Sequence, residues 1–463
     1  MNDKRKRLYD AITNVPDDLV AEARQTPLRR APRAWVKWGA AAACIVAVLV
    51  LAAVWPRTPG GQNGTFSLDA LAAVTLPEAY DFDDYEARRA TRDNNAVSTS
   101  FVNALNKFSF ETTAALLAAD EGNANYSPLS LYYALAMAAT GAEGQTEQAL
   151  LTLLGMPDRK TLSAQCGNMF RLIYKNNEIG KLTLANSMWM DSGITWKDAF
   201  IQNAADHFYA EVFSVDFADA QTGPAMGQWI ANQTNGLLAP DIALDPATIL
   251  TLINTVYFKD EWGTHFEESL TAPDKFTLAD GTTMTCDFMN RESWMGSYVR
   301  GDSFLRAGIP LKNGGTMLFV LPDEGISPRD LLADPTRMKE ALFDGIEKSS
   351  KVLWKVPKFS FETSYDLRDM LITLGAGEAF SVEANFTNIT EKPTFISGVK
   401  QETHIGIDEK GVEAAAYTQI DYAGGGAPDE WAQMILDRPF LYGITSPEGT
   451  LLFVGICENP ACE

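Results

Sequence analysis

The sequence predicts an α+β body carrying large β-sheets, preceded by one membrane-spanning helix. Three observations predict this. Runs of period-two hydrophobic alternation are interleaved with amphipathic helical stretches, and no repeat of fixed period organises them. Hydrophobic residues make up 46% and charged residues 21%, a globular balance that allows a sizeable core. One uncharged run near the N-terminus, "WGAAAACIVAVLVLAAVW" at residues 38–55, fits neither pattern.

The N-terminal elements follow from charge and length. Residues 1–37 hold nine Lys/Arg against five acidic residues, leaving 29 basic and 55 acidic residues for the rest of a chain of net charge −22. So acidic a body argues against nucleic acid as a partner. A helix over residues 38–55 would span about 27 Å, enough to cross the hydrocarbon core, with Trp35, Trp38 and Trp55 at the level of an aromatic belt. The basic flank precedes it. The expectation is therefore a cytosolic segment 1–37, a signal anchor 38–55, a linker or stalk 56–96 and a folded domain 97–463. The expected location is the cell membrane, single-pass, with the folded domain extracellular. A cleaved signal peptide would have a short basic region and a small-residue cleavage site, which this run lacks. A lipoprotein cysteine would follow its apolar run, whereas Cys44 lies inside this one. "PRTPGGQNGT" at 56–65 reads as flexible linker, and the acidic stretch to about residue 95 as stalk with one short helix.

The main body begins with helical patterns. "PLSLYYALAMAATGAEGQTEQALLTLLG" at 128–155 has a proline near its start, an apolar run, a Gly-rich break and a second amphipathic helix. Strand patterns follow at 181–190, 251–259, 316–322 and 353–363, with a helix expected at 365–375. The chain closes in a hairpin that turns around residues 447–449.

The inventory for catalysis is thin. The chain has three histidines, His207, His265 and His404, and carries no G-x-S-x-G elbow, HExxH, EF-hand loop, Walker loop or helix-opening GxGxxG. Five cysteines without a CxxC pair give no metal framework; Cys457 and Cys462 either pair or remain two thiols. "AGGGAPDEW" lacks the lysine and hydroxyl of a P-loop, and Asp429 and Glu430 would repel a phosphate. The expectation is a non-enzyme with no catalytic residues, no metal and no cofactor.

"DEKGVEAAAYTQIDYAGGGAPDEW" at 408–431 combines two characters. Val412, Ala414, Ala416, Thr418, Ile420 and Tyr422 form one face, and Glu413, Ala415, Tyr417, Gln419 and Asp421 the other, the alternation of a half-buried strand. Gly411 before it suits a hinge, being free in backbone angle. Gly424, Gly425 and Gly426 hold a strand poorly and suit an exposed, cleavable tip. The segment reads as a strand able to join a sheet but held out as a loop.

"IDEKGVEAAAYT" at 407–418 resembles the reactive-loop hinge of the serpins, the serine-protease-inhibitor fold. The resemblance extends in order from about residue 97 to 460. It includes the helix pair at 125–155, "LTLANSMWM", "WIANQTNGLLAPDI", "LINTVYFKDEWGTHF" with Asn254 and Trp262, "IPLKNGGTMLFVLP", "VPKFSFETSYDLRDMLITLGAGEAF" and "DRPFLYGITSPEGTLLFVGICENP".

This resemblance implies three sheets, about nine helices and an exposed reactive-centre loop. It implies a suicide substrate: a target protease acylates on the loop, and the freed hinge inserts as a new strand and traps the enzyme. Carried over by position, Glu409, Gly411, Val412, Glu413, Ala414, Ala415 and Ala416 form the hinge. Val412 stands where the family prefers Thr or Ser. Trp262 sits where the strands open first, and Ser127, Ser130 and Asn254 sit at a central shutter. The family's shutter histidine aligns with Gln401, a departure that keeps hydrogen bonding without a titrating charge. Counting from Glu409 puts the scissile bond at Gly425–Gly426; counting back from Pro439 puts it near Pro428. Small residues there imply serine or cysteine proteases of elastase- or subtilisin-like specificity, met by a monomeric inhibitor. A non-inhibitory serpin serving as an extracellular binding module is the alternative.

Overall fold

Polar caps and prolines set the helix starts. Ser98 caps Thr99–Leu117 by accepting from the Phe101 amide, and Ser127 caps Pro128–Gly141 by accepting from that of Ser130. Pro128 fills a first-turn position that needs no amide partner. The computed structural model describes residues 69–72, 74–412 and 431–461. Among them are nine α-helices: α1 Tyr85–Asn94, α2 Thr99–Leu117, α3 Pro128–Gly141, α4 Gly144–Leu153, α5 Arg159–Ile173, α6 Asp198–Phe208, α7 Thr222–Gln233, α8 Pro335–Leu342 and α9 Arg368–Leu371. Helix α3 is apolar on nearly every side and is buried accordingly, as the central helix of the core.

The strands are β1 Asp69–Ala72, β2 Ala124–Tyr126, β3 Lys175–Asn176, β4 Lys181–Asp191, β5 Ala210–Val215, β6 Leu250–Glu261, β7 Ala272–Thr277, β8 Thr283–Arg300 and β9 Phe304–Pro310. They continue as β10 Thr316–Pro322, β11 Lys348–Pro357, β12 Phe359–Asp366, β13 Lys400–Ile407, β14 Gly411–Val412, β15 Trp431–Ile435, β16 Phe440–Thr445 and β17 Leu451–Cys457. The first sheet runs β1-β5-β4-β6-β14-β13-β12, with β3 on β4. The second runs β15-β11-β8-β9-β10-β16-β17-β2, with β7 on β8.

Three expectations change. The three sheets are two among the described residues, because β8 is long enough to pair with β11 through Phe288–Tyr298 and with β9 through Tyr298–Arg300, fusing what would be separate sheets. The single strand expected at 353–363 is two, β11 and β12, in different sheets. Pro357 offers no amide to continue the ladder, and Lys358 turns the chain from one sheet to the other. The helix expected at 365–375 is shortened to α9 and a π-turn at Ile372–Ala376, where Gly375 takes a φ of 103°.

The single-pass membrane location is also corrected. No helix among the described residues is long and apolar enough to cross a membrane. The longest, α2, carries Asn103, Asn106, Lys107 and Glu111 along its length. Residues 38–55 lie outside the described residues. Of the stretch expected as stalk, Asp69–Ala72 pairs antiparallel with β5 and Tyr85–Asn94 is helical.

The first sheet is covered on two sides. Helix α3 and its neighbours pack on one face. On the other, α7 closes a smaller cluster in which Trp189 and Phe213 from the sheet meet Trp229 and Ile230 from the helix. Trp189 is fully buried, and its indole N–H donates to Ser187 Oγ at 2.9 Å. Trp189→Ala is expected to cost about 3–5 kcal/mol of unfolding stability. Urea denaturation checks this, and a loss below about 1 kcal/mol would remove Trp189 from the core of this layer.

Candidate functional site

The site forms where β13 hands the chain to the segment that resembles a hinge. After Ile407 the chain reverses over Asp408–Lys410. The Asp408 amide donates to Gly411 O at 3.0 Å, and Asp408 Oδ1 accepts from the amides of Lys410 (2.8 Å) and Gly411 (3.2 Å). The returning strand β14 lies between β13 and β6, with Val412 opposite Ile407 on one side and Asp260 on the other. A Cβ on Gly411 would lie 2.1 Å from the Asp260 carbonyl oxygen. Glycine is needed here for close backbone approach, and Gly411 is not among the positive-φ glycines, so space rather than backbone angle is the reason.

Trp262 fastens this turn from below. It is fully buried; its amide donates to Lys410 O at 2.9 Å and its indole N–H to Asp408 O at 2.8 Å. Glu409 fastens it from the side, accepting from Thr271 Oγ1 at 2.8 Å and from Lys358 Nζ at 2.9 Å. Burial alone would raise the Glu409 carboxyl, but the bonds from Lys358 and Thr271 outweigh it and hold it below its usual range. This anchoring is present above the ordinary carboxylate range and is lost as pH falls through the depressed value.

The head of β6 carries two buried acids that the motif reading passed over. Asp260 receives the Asn313 amide and side-chain Nδ2 and the Glu261 amide, at 2.9 to 3.3 Å. Burial raises its carboxyl to about 7 against those bonds. Glu261 Oε2 accepts from Lys312 Nζ at 2.6 Å and meets His265 Nε2 at 2.9 Å. Lys312 and Asn313 belong to the turn between β9 and β10, in the other sheet. Only the fold brings them here.

Deeper in the same sheet lies a polar layer over the start of α3. Ser130 Oγ donates to Asn254 Oδ1, and Asn254 Nδ2 to Asn186 Oδ1, which ties β6 to β4. Ser127 Oγ donates to Leu452 O at 2.8 Å. Gln401 holds the Ser127 peptide at both ends: Oε1 accepts the Ser127 amide and Nε2 donates to its carbonyl, each at 2.9 Å. Thr403 and Thr363 donate to the Asn125 carbonyl at 2.8 and 2.6 Å. The structure thus gathers Ser127, Ser130, Asn254 and Gln401 in one layer, and Trp262, Glu409, Gly411 and Val412 in another above it. Glu413, Ala414, Ala415, Ala416, Gly425 and Gly426 lie outside the described residues, as does Cys462.

Between these two layers β6 and β13 share no ladder; β14 alone joins them among the described residues. Leu252, Val256 and Phe258 of β6 face the core, yet remain only partly buried beside that gap.

Comparison with known proteins fits this arrangement. A family model described as serpin (serine protease inhibitor) matches residues 103–460. A serpin-like protein of Thermococcus kodakarensis is 30% identical over 372 residues, covering 78% of this chain and 85% of its own length. Serpin-ZX of Arabidopsis thaliana is 28% identical over 363 residues, covering 73% and 92%. Among solved structures, the thermophilic serpin tengpin in the native state superposes with a TM-score of 0.73 at 26% identity, over 85% of this chain and 99% of its own. The native stressed conformation of Arabidopsis AtSerpin1 gives 0.69 at 26% identity, over 79% and 100%.

Gln401→Leu is expected to leave the buried Ser127 N–H and C=O without partners, at about 1–3 kcal/mol for each group. Urea unfolding reads the loss. A variant that unfolds at the wild-type midpoint would mean the Gln401 amide does not support this layer.

Proposed function

The chain belongs to the serpin family, and from that premise we propose that it inhibits serine-type proteases as a suicide substrate, its domain running over residues 97–463. The protease's nucleophile attacks the Gly425 carbonyl. The bond to Gly426 breaks, Gly426 leaves as the new amino terminus, and the acyl-enzyme stays on Gly425. The freed hinge then enters the gap between β6 and β13 and carries the protease with it before water can deacylate it.

One observation carries this reading: β14 already occupies the head of that gap, in register with both neighbours. Continuing the same antiparallel register sets Ala414 between Ile405 and Phe258, Ala416 between Thr403 and Val256, and Thr418 between Gln401 and Asn254. Those positions share Val412's face and turn to the core, where small side chains fit beneath the sheet. Glu413, Ala415 and Tyr417 turn outward. The bulky Tyr417 then lies between exposed Glu402 and buried Thr255, on the face away from the α3 core. Val412 is branched and apolar, suited to the buried place it holds. Small residues around the proposed bond suit enzymes with small specificity pockets, of elastase or subtilisin type. No basic residue lies between Lys410 and Arg438, so trypsin-like targets fit poorly.

The domain mixed with such proteases is expected to give an adduct that survives denaturing electrophoresis, and a released peptide whose mass begins at Gly426. Ala416→Arg is expected to leave cleavage intact but cut the adduct yield more than about tenfold, because insertion would bury an unpaired charge. Cleavage without any adduct, across both protease types, would overturn trapping and leave a serpin fold used as a binding module.

A further inference from the structure

We propose that Asp260 makes the seating of the hinge pH-dependent: β14 stays in place in mildly acidic medium and releases more readily as the medium approaches neutrality. The inference rests on reading residues 411–412 as the hinge, but not on whether the loop traps a protease.

The geometry is specific. Residues directly opposite on neighbouring strands point to the same face, so Val412 and its partner Asp260 both turn inward. Both are almost fully buried, at 3% and 2% exposure. Val412 therefore closes the head of the gap over the Asp260 side chain. The three N–H groups that Asp260 accepts, from Asn313 and Glu261, are all neutral. Bonds of this kind offset only part of the cost of burying a charge.

The charged neighbours are placed as follows. On β6 itself stand Lys259 and Glu261. Glu261 opposes ionisation of Asp260 while holding Lys312 and His265. A water-sized cavity of about 20 Å³ is lined by Asp260 together with Lys175, Lys181, Lys259 and Asn313. Lys175 Nζ donates to Tyr80 Oη at 2.9 Å, and Lys181 lies over the Tyr257 ring. From the hinge turn, Glu409 faces Lys358.

The sign follows from linkage. In the seated state burial raises the Asp260 carboxyl to about 7. Release of Val412 admits water and returns the carboxyl toward an ordinary value of about 4. Release thus expels a proton. It is suppressed at low pH, grows as pH rises, and stops growing once the seated carboxyl is itself ionised, above about pH 7.

Hydrogen-exchange mass spectrometry of the intact chain, read on peptides covering residues 408–412 and the end of β6, measures this opening. After correction for intrinsic exchange, the opening equilibrium is expected to rise up to about tenfold per pH unit between about pH 5 and 7, and to level off above. Asp260→Asn is expected to flatten the profile. His265→Asn changes the neighbouring side chain that meets Glu261 and is expected to keep the slope. A flat wild-type profile, a slope that survives Asp260→Asn, or a slope lost in His265→Asn each overturns the proposal. If Asp260→Asn does not fold, the infrared carbonyl band of a buried carboxylic acid carries the test in wild-type protein: present at about pH 5.5 and gone by about pH 8 if the proposal holds, absent at both if it fails. None of these readouts needs a protease, so failure to trap one leaves them standing.

Discussion

The structure turns on a gap in its first sheet. β6 and β13 run side by side yet are bridged among the described residues by β14 alone. Every other internal neighbour in that sheet shares a longer ladder, such as Lys181–Met190 on β6 or Phe359–Asp366 on β13. A sheet interior whose lane is filled only by β14 among the described residues leaves backbone groups and apolar side chains there without a described strand beside them, a costly arrangement in a packed protein unless a strand completes it. The half-buried Leu252, Val256 and Phe258 are the visible sign of that cost. On the proposed reading this is stored free energy, recovered when a strand fills the lane, and the native state is held by a barrier.

The barrier has recognisable parts. At the head, Trp262 and Glu409 hold the turn that feeds the lane, through backbone bonds and the Lys358 pair. Midway, side chains span the gap that backbone does not: Asn254 and Asn186 serve one half, Gln401 and Thr403 the other, and both halves meet at the start of α3. These fasteners are polar, so each must keep its partners or cost more than it contributes. Glu409 and Asp260, one strand apart, respond to pH in opposite senses. Lys358 and Thr271 favour the charged form of the first, whereas burial among neutral donors disfavours it for the second.

Much of this was legible in the sequence because it is local or strongly patterned. The α+β character, the helix pair after Ser127, strands β4, β6 and β10, and the closing hairpin all follow from period, caps and turns. Of the residues singled out by motif, Ser127, Ser130 and Asn254 lie together in one polar layer, and Trp262, Glu409 and Gly411 in another above it. What was not legible depends on distance. The fusion of two expected sheets rests on the length and bend of β8. The break at Lys358 rests on which sheet each side joins. The acids at the head of β6 carry no motif of their own, and their partners Asn313 and Lys312 lie more than fifty residues on. The apolar run at 38–55 carries a strong local pattern, but no described helix shares its character.

Gly411 shows how one residue type answers two different physical demands. A hinge suggests freedom of backbone angle, and glycine supplies it. The observed strand uses none of that freedom; it needs the absence of a Cβ, because the β6 carbonyl lies where the Cβ would be. The consequence is directional. Any larger residue at 411 would push β14 away from β6, so its first effect would fall on the seated strand. Val412 imposes the complementary demand, being buried already and requiring an apolar side chain. The two positions thus set how the segment enters the sheet: among the described residues Val412 stands beside Asp260, and any strand filling the lane at the level of Gln401 and Asn254 would meet the polar bonds that tie each half of the sheet to the start of α3.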